Sequence, residues 1–217
     1  MSKIKAVLFD YDGTLMDTNN IILESWQHTF RAIKGQEHPE KELYATFGEP
    51  LSYTMERFFP GEDVDRCVEI YRNYQLDHYQ KLIEMFPGMV ELVKDLKDRG
   101  YLTGVVTSRL PSTTFQGLDK YGLTPYFDAV VTCADTDKHK PDPEPALLCL
   151  EKLGVQPSEA VMIGDTTYDI LCGKRAGVKS GLVGWSVAYT EELLQGETKP
   201  DFIMNTAEEL YRELEAG

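Results

Sequence analysis

The chain has 217 residues, 42% of them hydrophobic and 27% charged, the composition of a globular protein that buries one good core, or a core plus a smaller appendage. Its formal charge of −14 at pH 7 argues against nucleic acid or an anionic membrane as partner, because both attract basic surfaces. No apolar run reaches the roughly 20 residues that span a bilayer, and Met1-Ser2-Lys3-Ile4-Lys5 leads directly into a strand-like segment without a signal-like stretch. A cytoplasmic protein is expected, with Cys67, Cys133, Cys149 and Cys172 as reduced, buried thiols far apart in sequence.

The first predicted strand, Ala6-Val7-Leu8-Phe9, runs into Asp10-Tyr11-Asp12-Gly13-Thr14-Leu15. In extended backbone, side chains two apart face the same way, which puts Asp10 and Asp12 on one side. Gly13 then allows a turn that a residue with a Cβ resists. Acidic residues before glycine also make plain turns. A calcium loop is excluded, since the fifth and twelfth places counted from Asp10 are Thr14 and Ile21.

From Thr18 to Glu84 no strand is predicted. Ile22, Trp26, Phe30 and Ile33 recur at helical spacing, as do Val68, Tyr71, Tyr74, Gln75 and Tyr79. Thr18, Asn19 and Asn20 are N-cap candidates, Gly35 and Pro39 end the first helix, and short segments follow around residues 41–47 and 51–58. Beyond Pro87 the pattern alternates. Helices are predicted over 89–99, 112–121, 144–153, 168–176 and 207–215, and strands over 101–107, 128–133, 160–164, 180–185 and 202–204. Such alternation implies an α/β fold, a doubly wound parallel-sheet, Rossmann-like core. The core comprises 1–17 and 85–217, with 18–84 as an inserted all-helical cap, a geometry suited to a lid.

Ligands of doubly wound sheets sit at the carboxyl ends of the strands. Those ends carry Asp10 and Asp12, then Thr107-Ser108-Arg109, then Lys140 in Lys140-Pro141-Asp142-Pro143-Glu144-Pro145, then Gly164-Asp165 with Asp169 four residues on. Each residue has an ordinary explanation alone: a cap, a solvated charge, a turn. Together the carboxylates, hydroxyl and lysine describe a Mg²⁺-assisted phosphoryl-transfer site, because oxygen-only ligands suit Mg²⁺ and a phosphate completes its shell.

These motifs, in this order and across nearly the whole chain, resemble the haloacid dehalogenase superfamily. The resemblance implies that Asp10 is the nucleophile and forms an aspartyl phosphate, while Asp12 protonates the leaving oxygen and then activates water. It further implies Mg²⁺ held by the Asp10 carboxylate, the Asp12 backbone carbonyl and Asp165, with Asp169 supporting the metal or a bound water, or orienting Lys140. Thr107 and Lys140 would bind phosphoryl oxygens, with Gly13, Ser108 and Arg109 as further candidates for the phosphate pocket. Asp12 excludes the dehalogenases themselves and the phosphonate hydrolases, which carry other residues there. Tyr11 stands where the superfamily usually has an aliphatic residue or Phe, and is expected to face away from the carboxylates.

The Gly48-Glu49-Pro50-Leu51 loop, the 140–145 segment and the stretch from Ala176 to Trp185 are similar to the phosphoglycolate phosphatase and pyrophosphatase-like branch. Glu49 is thereby a candidate substrate contact, with a plain connecting turn as the alternative. The acidic helical insert favours a small phosphorylated metabolite, 2-phosphoglycolate or inorganic pyrophosphate, handled by a monomer or homodimer. A phosphosugar mutase, β-phosphoglucomutase-like, is a sibling reading, but Ile22 stands about where those relatives place a histidine and cannot relay a proton. A catalytically silent phosphate-binding regulator would predict a damaged motif, and every position is filled.

Overall fold

Strand β1, Ala6–Phe9, has all four side chains buried. An apolar run without polar alternation is what a parallel strand covered on both faces requires. The computed structural model, which describes residues 3–188 and 194–215, places β1 between β4 (Leu102–Val106) and β6 (Ala160–Gly164). The six-stranded sheet is parallel throughout, in the order β5-β4-β1-β6-β7-β8, with β5 at Ala129–Val131, β7 at Lys179–Val183 and β8 at Phe202–Met204. Helices α5 (Met89–Asp98), α6 (Pro111–Lys120), α7 (Glu144–Leu153), α8 (Thr167–Ala176) and α9 (Glu209–Glu215) alternate with these strands. One core layer joins Ala6, Leu8, Val106, Val131 and Met162 of the sheet to Ala146, Cys149, Leu150 and Cys172 of α7 and α8. The expected α/β fold is present.

The chain divides into two compact units, Met1–Asp17 with Met85–Gly217, and Thr18–Glu84. The second unit is helical: α1 (Asn19–Lys34), α2 (Glu40–Tyr44), α3 (Leu51–Phe58) and α4 (Val64–Leu82). Its core gathers Leu23, Trp26, Phe30, Leu43, Met55, Phe59, Cys67 and Tyr71. The Trp26 ring meets Tyr71 edge-on at 5.1 Å and Phe58 at 5.6 Å. Gly35 ends α1 in the left-handed region, donating its N–H to Arg31 O. Thr18 precedes α1 but makes no side-chain capping bond. Asp63 does cap α4, accepting from the N–H groups of Asp65 and Arg66.

Several predicted boundaries move inward, for local reasons. The strand expected over 128–133 stops at Val131, because the Asp135 carboxylate takes both the N–H and the hydroxyl of Thr132. A side chain that satisfies the backbone competes with the sheet ladder. The strand expected over 180–185 is Lys179–Val183, with Gly184 donating to Met204 O as the chain turns. The last helix begins at Glu209 rather than Ala207, after i→i+3 bonds from Glu209 to Thr206 and from Leu210 to Ala207. A short strand pair the periodicity does not reveal, β2 (Met16–Asp17) with β3 (Glu84–Met85), stands where the chain leaves the first unit and returns.

Cys67, Cys149 and Cys172 are buried free thiols, whereas Cys133 is partly exposed. Burial pushes the thiols of Cys149 and Cys172 up to about 12 from an ordinary 9.0. Their protonated form is favoured by folding, so this stability is present in full below pH 9 and is lost as pH rises toward 12. Denaturant midpoints are therefore expected to fall between pH 9 and 11, and replacing Cys149 with Ala should reduce that slope. An unchanged slope would contradict the assignment. Asp63→Ala is expected to cost roughly 0.5–2 kcal/mol, the usual range for a lost N-cap, measured by chemical denaturation.

Candidate active site

At the carboxyl end of β1 the Asp10 N–H still donates to Ile163 O, at 2.8 Å. The chain then closes a tight loop in which the N–H groups of Leu15 and Met16 both reach Tyr11 O. Gly13 takes φ +73° within this loop, and a Cβ there would lie 2.1 Å from Asp165 Oδ2. Only glycine allows both the turn and so close an approach by a second carboxylate. Ordinary strand alternation has ended at Phe9, yet Asp12 still lies near enough for its charge to raise the Asp10 pKa.

Lys140 joins the strand ends. Its Nζ donates at 2.6 Å to Asp10 Oδ1 and at 2.6 Å to Asp169 Oδ1, with all three side chains nearly inaccessible. Burial alone would lower the Lys140 pKa, but the two carboxylates outweigh it and hold the ammonium above the ordinary lysine range. The other oxygen of Asp169 accepts from the N–H and hydroxyl of Thr166, closing a capping box at the start of α8. Both oxygens of Asp169 are thus engaged, one by Lys140 and the other by Thr166.

Desolvation lifts the Asp10 carboxyl to about 7, against the opposing pull of Lys140 and with the help of Asp169 and Asp12. Asp165 is pushed well above the ordinary range by burial first, then by the charges of Asp169 and Asp10. Asp10, Asp165 and Asp169 each offer an oxygen within 4.8 Å of the others. Four carboxylates share this rim with two cations, Lys140 and Arg109. The excess of two negative charges, presented by oxygen atoms alone, fits a hard divalent cation such as Mg²⁺.

Thr107 is buried at the end of β4, and its Oγ1 accepts the Arg109 N–H at 3.1 Å, leaving its own proton to donate elsewhere. Ser108 is exposed. Arg109 grips Asp12: Nε lies 3.1 and 2.9 Å from the two carboxylate oxygens, and Nη2 lies 2.6 Å from Oδ1. Tyr11 is fully buried, and the guanidinium carbon lies 5.7 Å from its ring centroid. In the helical unit, Glu49 is engaged locally. Its carboxylate accepts from Thr54 Oγ1 at 2.9 Å and pairs with Arg57, 2.9 Å from Nη2.

Two supports lie outside the motifs. The Trp185 Nε1–H donates to Gly13 O at 3.2 Å, and the Ser186 hydroxyl donates to Asp165 O at 2.6 Å. Adjacent residues beyond β7 thus tie the loop of Asp10 and Asp12 to that of Asp165. Trp185 ends the stretch from Ala176 that carries the branch resemblance, whereas Ser186 has no sequence signal beyond its position after a strand on the same rim.

A parallel doubly wound sheet carrying nucleophile-type, hydroxyl, lysine and acidic residues on successive strand ends defines a hydrolase-type catalytic core. Residues 7–183 match the family model of haloacid dehalogenase-like hydrolases, and the chain belongs to that family. Among similar proteins, pyrophosphatase PpaX of Halalkalibacterium halodurans is 36% identical over 208 residues, 96% of this chain and 95% of that protein. A Clostridium perfringens protein provisionally named pyrophosphatase PpaX is 40% identical over 202 residues, 93% of each. A crystal structure of a provisionally assigned phosphoglycolate phosphatase from Lactobacillus plantarum matches with TM-score 0.87 and 26% identity, covering 98% of this chain and all of that one.

Gly13→Ala is expected to abolish any thermal stabilisation by Mg²⁺ and to lower the melting temperature, since the new methyl would displace the Asp165 carboxylate. Differential scanning fluorimetry with and without Mg²⁺ reads both. A Gly13→Ala protein that kept the wild-type metal response would refute this account of the loop.

Proposed function

We propose that the chain is a Mg²⁺-dependent phosphohydrolase that works through an aspartyl phosphate, with inorganic pyrophosphate as its preferred substrate and 2-phosphoglycolate as the next candidate. The observation that carries this reading is the single ammonium shared by Asp10 and Asp169 beside Asp165. It fixes one oxygen of Asp10 and leaves the other to attack. The names of the relatives, two of them pyrophosphatases at 36–40% identity over nearly full length, support pyrophosphate.

Asp10 attacks phosphorus as its carboxylate, and the bond from phosphorus to the leaving oxygen breaks. Asp12, protonated in the substrate-bound state, gives its proton to that oxygen, so that orthophosphate leaves without an uncompensated charge. Asp12, now a carboxylate, takes a proton from water as the water attacks the phosphoaspartate. The Asp10–phosphorus bond breaks, a second orthophosphate leaves, and both carboxyls return to their starting states. Thr107 donates its hydroxyl hydrogen to an equatorial phosphoryl oxygen, and Lys140 offers its remaining donor to another. Asp10, Asp165 and the Asp12 carbonyl would hold Mg²⁺, which would supply the charge neutralisation that a dianion needs to approach an acidic rim. The helical unit, Thr18–Glu84, is proposed to set substrate choice. Ile22 offers no group to relay a proton to a sugar, which favours hydrolysis over phosphoryl return.

Orthophosphate release should be followed with Mg²⁺ against pyrophosphate, 2-phosphoglycolate, hexose phosphates, nucleotides and an aryl phosphate. Pyrophosphate is expected to give the highest kcat/KM, and both Asp10→Asn and chelation should reduce turnover to background. Preference for a sugar phosphate, or turnover that survives Asp10→Asn, would overturn the proposal.

A further inference from the structure

We infer that Arg109 is a positioning residue for Asp12, holding the acid–base carboxylate in the plane and direction needed for proton transfer, and is not a ligand of the phosphoryl group. This rests on the proposed acid–base role of Asp12. A strand-end arginine near a phosphate site invites assignment as an anion binder, and the residue types alone point that way.

The geometry points elsewhere. Nε spans both Asp12 oxygens and Nη2 holds Oδ1, so the fork of the guanidinium meets the fork of the carboxylate. Such two-point pairing fixes an angle as well as a distance, which a lysine's point charge does not. The Arg109 side chain is 5% exposed and that of Asp12 is 27% exposed. The arginine therefore forms the buried backing, and the carboxylate is the part that reaches the open side. The backbone of Arg109 is pinned at both ends, its N–H on Thr107 Oγ1 and its carbonyl on the Cys133 N–H. The Tyr11 ring lies beneath the guanidinium within cation–π range, which gives a role to an aromatic ring at that position.

Charge balance favours the same assignment. Lys140 is committed to Asp10 and Asp169. Were Arg109 to leave Asp12 for a phosphate, the Asp12 carboxylate would face Asp10 without a partner, and like charges at short range in a poorly solvated site are costly. Arg109 thus stays on Asp12 during the reaction, while Thr107 and Lys140 take the phosphoryl oxygens. A positioning arginine acts on kcat through Asp12, whereas a phosphate ligand acts on affinity for phosphate directly.

The test is a double-mutant cycle of Arg109→Met and Asp12→Asn on the full chain, reading kcat with the best substrate of the panel and the inhibition constant of inorganic phosphate. Arg109→Met is expected to lower kcat about 100-fold, the scale of a misplaced catalytic group, with the phosphate inhibition constant changed less than about threefold. In the Asp12→Asn background Arg109→Met should add less than about threefold, because its target is already gone. A rise of about tenfold or more in the phosphate inhibition constant, the scale of lost charge-assisted hydrogen bonds, would overturn the inference. So would equal losses in the two backgrounds. If Arg109→Met fails to fold by circular dichroism, Arg109→Lys keeps a charge without the fork, and the same division between kcat and phosphate inhibition decides. Asp12→Asn with wild-type turnover would defeat the acid–base reading itself. Asp12→Asn that is slow beside Arg109→Met at wild-type kcat would defeat only the role given to Arg109.

Discussion

The constraint on which this structure turns is the cost of placing four carboxylates on one poorly solvated rim. Burial, with the neighbouring carboxylates adding to it and Lys140 opposing it, lifts Asp10 to about 7 and pushes Asp165 higher than an ordinary aspartate. Ionised, such a group needs a partner within hydrogen-bond range. Two cations share that role. Lys140 serves Asp10 and Asp169, Arg109 serves Asp12, and the two charges left over match a divalent ion. Each cation comes from far along the chain, Lys140 lying 130 residues from Asp10 and Arg109 lying 97 from Asp12. Only the parallel sheet brings them to one edge.

That requirement explains features that otherwise look unrelated. The all-apolar β1 must sit between β4 and β6, because its end has to meet the ends of both. Gly13 must be glycine, since the Asp165 carboxylate fills the space where a Cβ would stand. Thr166 and Asp169 cap α8 with the same carboxylate that steadies Lys140, so helix initiation and site assembly share one residue. Trp185 and Ser186 add two bonds to backbone carbonyls and keep the two acidic loops in register.

Much of this is legible in the amino-acid order because strand-end chemistry is local. A short apolar run followed by Asp-x-Asp-Gly, and another followed by Gly-Asp, announce a parallel sheet and its functional edge together. The helical unit is visible through periodicity and its glycine and proline boundaries. What cannot be read is pairing over long separations. The sequence does not show that the Arg109 guanidinium lies on Asp12. Nor does it show that Glu49 is bonded to Thr54 and Arg57. Periodicity overextends a strand where a side chain, as Asp135 does at Thr132, captures the backbone group a ladder would use.

The central claim is that Asp10 carries the phosphoryl group in turnover. Asp12→Asn should slow hydrolysis of the phosphoaspartate more than its formation from an aryl phosphate, whose leaving group needs little protonation. Acid quenching of that variant during turnover with Mg²⁺, followed by borohydride reduction and mass spectrometry, reads the attachment site directly. The account predicts a reduced residue at position 10, absent from the Asp12→Asn/Asp10→Asn double variant and from chelated samples. Modification at another residue, or none while phosphate release continues, would contradict it.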